Sequence, residues 1–173
     1  MAALSRSRRA TAGIAFIVAG AALLLAALLP FVGVSVPWLY PIAYAAITVG
    51  LVILALGAVT SAVTKVALFA GALGWAILVL TNVGIAVPGV VGTIGIVLAA
   101  LGTLVGAIVL YTGREIVNRS AIAFVVTAII AALFLLSRAG LFSLGQFGEI
   151  VTIALGAGFL ITGVLFRQTE RKR

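Results

Sequence analysis

The 173-residue chain has no cysteine and no histidine, and its acidic residues are three: Glu115, Glu149 and Glu170. Without cysteine there is no disulfide, no thiolate nucleophile and no thiolate metal ligand. Without histidine the commonest general base and metal-binding side chain are missing as well. A serine triad is excluded in its usual form, and neither a P-loop nor an HExxH zinc motif occurs. Glu115 falls between two apolar runs and Glu170 in the C-terminal tail, so Glu149 alone stands close to a helix interior, where a catalytic or proton-coupled carboxylate would be needed. These absences predict a protein that is not an enzyme and takes no cofactor and no metal.

Polar surface is scarce too. Charged residues make up 8% of the chain and hydrophobic ones 65%, with a mean hydropathy of +1.42. A soluble domain needs far more polar surface, so lipid must replace water around most of this one. At about 20 apolar residues per span the length accommodates about five to seven helices, and the runs divide it into six. The expected fold class is therefore an all-α integral membrane protein, a single transmembrane domain over residues 1–173 with little left for a soluble part.

The first span is expected over residues 10–29, behind Arg6, Arg8 and Arg9. A signal peptide shares the basic start, but its apolar core is about 7 to 15 residues, and no small-x-small cleavage site ends this run; the helix is read as retained. Residues 30–41 carry Pro30, Pro37 and Pro41 with Phe31, Trp38 and Tyr40 and no charge, as suits a helix-breaking turn at headgroup level. Further spans are expected over 42–60, over a short stretch 66–81, from a turn at 82–88 up to 113, over 121–137 and over 149–166.

The formal charge of +8 sits in short clusters between these runs, a pattern that sets topology rather than one that binds nucleic acid. With both termini inside, the inner side holds Arg6, Arg8, Arg9, Lys65, Arg114, Arg119, Arg167, Arg171, Lys172 and Arg173, and the outer side holds Arg138 alone. Ten against one places both termini in the cytoplasm and the chain, multi-pass, in the cell's inner (cytoplasmic) membrane. Lys65 reads as a snorkelling anchor, Arg114, Glu115 and Arg119 as a solvated loop, and the C-terminal cations as contacts for anionic lipid.

In the fourth span Gly92, Gly95, Ala99, Gly102, Gly106 and Gly113 follow at steps of three, four, three, four and seven. Alternating three- and four-residue steps draw one stripe along a helix, and lipid-embedded helices use such stripes to bring backbones together. Ala43, Ala46, Gly50 and Gly57 share a face of the second span in the same way. The stripe fits a neighbouring helix of the same chain, a second copy, or another membrane protein; lipids are partners by default.

An internal repeat accompanies the spans. Val32-Gly33-Val34-Ser35-Val36-Pro37 matches Val83-Gly84-Ile85-Ala86-Val87-Pro88 position by position, 51 residues on, and Ala139-Gly140-Leu141-Phe142-Ser143-Leu144 is a degraded version. Gly13, Thr64 and Ser120 each lie 20 residues before the turn glycine. Three tandem αα-hairpins are expected, at about residues 10–60, 64–113 and 119–166, all entering the membrane in the same direction. Tandem hairpins of this size, with an apolar turn and glycine-spaced second helices, resemble the HdeD-like family of small six-helix bacterial membrane proteins, over about residues 11–166. The resemblance implies a role in stress or acid tolerance and supplies no catalytic motif.

Arg138 and Glu149 form a candidate outer polar pair across the third turn, with helix-terminus charge and substrate contact as its two readings. Thr48, Asn82, Thr93, Thr103, Thr127, Thr152 and Thr162 either line a path for an uncharged solute or bond to their own and neighbouring helices. Function is thereby narrowed to a structural, stress-related or accessory protein acting through helix packing, or a channel or facilitator for a small neutral solute or lipid. A continuous polar cavity separates the two.

Overall fold

The computed structural model describes residues 6–57, 61–114 and 116–168. These form six α-helices: α1 (Arg6–Leu28), α2 (Leu39–Gly57), α3 (Ala62–Asn82), α4 (Gly89–Thr112), α5 (Asn118–Arg138) and α6 (Gly148–Gln168), with no strand among the described residues. All six are long and apolar enough to cross a membrane, so the chain is a multi-pass membrane protein. At about 1.5 Å per residue, even the shortest, α2 with 19 residues, matches the hydrocarbon core of about 30 Å.

The helices start earlier than hydropathy suggests. α1 takes in Arg6 to Arg9, α3 begins at Ala62 and runs 21 residues rather than being short, and α5 begins at Asn118, so Arg119 and Ser120 are helical rather than in a loop. Polar residues continue a helix into the headgroup layer at no cost, and hydropathy sees only the part in hydrocarbon. In α3 the Ser61 hydroxyl caps the helix by accepting from the Thr64 amide at 3.4 Å. Pro41 lies within the first turn of α2 instead of in the preceding turn, a place where the missing N–H has no helical acceptor to lose. Glu115, the end of the second span at Thr60, and the tail cations Arg171, Lys172 and Arg173 lie outside the described residues.

Packing runs in a cycle. α1 packs on α2, α2 on α3, α3 on α4, α4 on α5, α5 on α6, and α6 back on α1. The last turns of α2, α4 and α6 and the first turns of α1, α3 and α5 lie at one end of this ring; the turns over 29–38, 83–88 and 139–147 lie at the other, here termed the turn end. The closest seam is α3 on α4. A methyl group placed on Gly102 would lie 2.6 Å from Cα of Gly71 and 2.7 Å from the Ala67 carbonyl, and one on Gly74 would meet the backbone of Gly95 and Ala99. α1 meets α6 in the same manner: a methyl on Gly20 would sit 2.6 Å from the Gly156 carbonyl, and one on Gly13 would sit 2.7 Å from the Gly163 carbonyl.

Of the α4 stripe, Gly95, Ala99, Gly102 and Gly106 are buried in the α3 seam, Gly106 receiving the Leu68 side chain. Gly92 faces open space near the turn end and makes no such contact. Outward faces are aliphatic. In α5, Ile122, Val126, Ile129 and Leu133 are about half exposed at helical spacing, whereas Thr127 points inward. A ring with apolar residues outside and hydroxyls inside is matched to lipid.

The three turns share one geometry. Gly33, Gly84 and Gly140 have φ of +76°, +83° and +77°, a conformation glycine adopts without strain. In each, the residue after the glycine donates its amide five residues back: Val34 to the Leu29 carbonyl, Ile85 to that of Leu80 and Leu141 to that of Leu136. This is the Schellman ending of a helix, which satisfies carbonyls that would otherwise be orphaned.

Candidate functional site

A path across the bundle would run through the interior of the ring, and aromatic side chains occupy it. Phe16 of α1 stacks against Phe124 of α5 at 5.5 Å between centroids, against Phe159 of α6 at 5.6 Å and against Phe166 at 5.9 Å. Its ring also reaches Gly50 on α2, so one side chain touches three other helices. All four phenyl groups are fully buried. Nearer the turn end, Tyr44 packs on Trp75 at 5.1 Å, and the Trp75 Nε1–H donates to the Thr103 hydroxyl at 3.0 Å inside the core.

The hydroxyls and amide considered as pore lining all have partners in the protein. Thr48, Thr93 and Thr152 donate to the carbonyls of Tyr44, Gly89 and Gly148 in their own helices, and Asn82 donates to that of Leu78. Thr103 is held by Trp75, and Thr127 and Thr162 share a buried hydrogen bond of 3.1 Å between α5 and α6. They act as internal ties rather than as a file of free donors. The Thr64 hydroxyl and the Arg9 Nε are buried atoms without a hydrogen-bond partner.

Open volume with polar walls lies at the turn end. A cavity of about 290 Å³ is bounded by α1, α2, α5 and α6, with Tyr40, Ser137, Arg138, Glu149 and Thr152 among its walls. A second, of about 250 Å³, lies between α2, α3, α4 and α5 and is lined by Tyr44, Thr81, Asn82 and again Arg138. Arg138, the last residue of α5, thus stands between two compartments that together touch all six helices. Its position at a helix C-terminus suits a cation, and Glu149 in the first turn of α6 suits an anion. The two candidate residues line one cavity, but no ion pair joins them; the Arg138 guanidinium lies 5.7 Å from the centroid of the Phe134 ring one turn back.

Other sequence-chosen residues stay apart from this site. Lys65 is exposed in the first turn of α3, and Arg119 is exposed on α5. No cluster able to hold a metal occurs among the described residues. Sequence reading missed the α1–α6 seam, although its signal was present: Gly13 and Gly20 are seven apart in α1, and Gly156 and Gly163 are seven apart in α6. It also missed Gly71 and Gly74, the partners of the α4 stripe. Comparison with known proteins found no matching family model, no similar curated protein and no similar solved structure.

Proposed function

We propose that this chain is a small non-enzymatic membrane protein of structural, stress-related or accessory role that works as a packed unit through its helix contacts. The observation that carries the reading is the filled interior: the phenylalanine cluster around Phe16 closes the ring at the level where a conduit would have to pass. Chemistry argues the same way, since a chain without cysteine or histidine has few groups with which to catalyse.

The finer architecture we propose is three tandem αα-hairpins with both termini cytoplasmic. The recurrence of one Schellman turn at Gly33, Gly84 and Gly140 supports the repeat, and the ten-to-one distribution of basic residues supports the orientation. On this orientation the turn end, with Arg138 and Glu149, is extracytoplasmic. The resemblance to HdeD-like proteins stays within this proposal and adds stress tolerance as its physiological setting.

Solute flux decides between a sealed unit and a facilitator. Purified protein in liposomes is expected to leave the efflux of entrapped glycerol and urea at the rate of empty liposomes. Efflux above that control, reduced when Phe16 is replaced by a larger tryptophan or raised when it is replaced by alanine, would overturn the sealed reading in favour of a channel for small neutral solutes.

A further inference from the structure

We infer that the cavity shared by Arg138 and Glu149 is a binding site for a small zwitterion that carries an amine together with a phosphate or carboxylate. Charge is the first ground. One guanidinium and one carboxylate line the same walls without pairing, the cation resting on Phe134 instead. Two opposite, unpaired charges on the walls of one cavity offer a ligand bearing both signs a charge-assisted partner for each end. A simple anion gains Arg138 but meets Glu149, and a simple cation faces the reverse.

Size is the second ground. At about 290 Å³ the cavity lies at the small end of ligand pockets, which suits a headgroup or an amino-acid-sized solute. The walls supply the third. Tyr40 presents an aromatic ring, against which an ammonium binds, and Ser137 adds a hydroxyl for an oxyanion, while the Thr152 hydroxyl is already given to the Gly148 carbonyl. Both charged residues are exposed, so the site is reached from outside. The neighbouring cavity lacks the combination. It shares Arg138 but has no carboxylate, and the Thr81 hydroxyl and Asn82 amide already donate to the Leu78 carbonyl.

The same chemistry occurs on a phosphatidylethanolamine headgroup and on free solutes such as phosphoethanolamine. At the end of six membrane-length helices the mouth is within reach of both. The inference goes beyond the sealed-unit reading and holds whichever way the chain is inserted, so its failure leaves flux and topology to be judged on their own.

The test is calorimetric titration of the full chain in detergent with phosphoethanolamine, inorganic phosphate and ethanolamine separately, beside native mass spectrometry after reconstitution in phosphatidylglycerol with and without phosphatidylethanolamine. Phosphoethanolamine is expected to bind at least about tenfold more tightly than either single-charge probe, and Glu149→Gln and Arg138→Gln are each expected to weaken it by about tenfold. If only the lipid is retained, and is lost in Glu149→Gln, the headgroup is the source; if the soluble probe binds, a free solute suffices. Should Arg138→Gln fail to fold, the exposed Glu149→Gln decides alone. Phosphate binding as tightly as phosphoethanolamine, Glu149→Gln leaving affinity unchanged or raised, or no binding in either arm would each overturn the proposal.

Discussion

Gly102 and Gly92 lie ten positions apart on α4, yet a methyl group on each should do opposite things. On Gly102 it drives into the Gly71 backbone, which has no rotamer with which to yield. Gly102→Ala is expected to destabilise by about 1–3 kcal/mol, the usual cost of overpacking, and Gly102→Leu to abolish most folded yield. Gly92 has nothing within 4 Å, so Gly92→Ala is expected to be neutral or to stabilise by up to about 1 kcal/mol through lower unfolded-state entropy. Gly106 falls between, because the flexible Leu68 side chain can move aside. Thermal unfolding in detergent, followed by size-exclusion chromatography, ranks the three; equal effects would reject the seam. The Trp75–Thr103 tie is checked in the same assay by a double-mutant cycle with Trp75→Phe and Thr103→Val. A coupling of about 0.6–2 kcal/mol is expected, and none would mean the bond contributes nothing.

At the scale of elements, the turns depend on backbone conformation rather than on space. Gly33, Gly84 and Gly140 have open surroundings but positive φ, so replacing any one by alanine should cost about 1–2 kcal/mol without creating a clash. Equal costs at all three, read as shifts in unfolding temperature, would fit one repeated ending; a harmless Gly140→Ala would single out the third turn. The six spans were legible in the sequence because hydropathy reports burial in lipid directly. Helix starts at Arg6, Ala62 and Asn118 were not, because helices extend into water where hydropathy falls silent. The α4 stripe was legible as a packing face apart from Gly92, whose periodicity is right but which lines the open cavity between α2, α3, α4 and α5 instead of meeting the α3 backbone. Arg138 and Glu149 could be placed across one turn from each other; that they line one cavity without an ion pair depends on how α1 and α2 close the other walls, which no local pattern encodes.

For the molecule as a whole, orientation is the expectation most simply checked. A reporter fused after Arg173 should register as cytoplasmic and one inserted near Ser143 as external, and the opposite signals would invert the proposed topology. Closure of the ring by α6 on α1 has a further consequence, and it concerns time. Gly20 and Gly156, whose backbones meet, are separated by 136 positions, so the close-packing face of α1 is synthesised and inserted long before its mate exists. During that interval the exposed groove of small residues is a template for any other helix in the bilayer, including the first helix of a neighbouring nascent chain. A chain cut off before α6 is therefore expected to keep that face of α1 unpaired, and to cross-link to other membrane helices more readily than the full-length chain does.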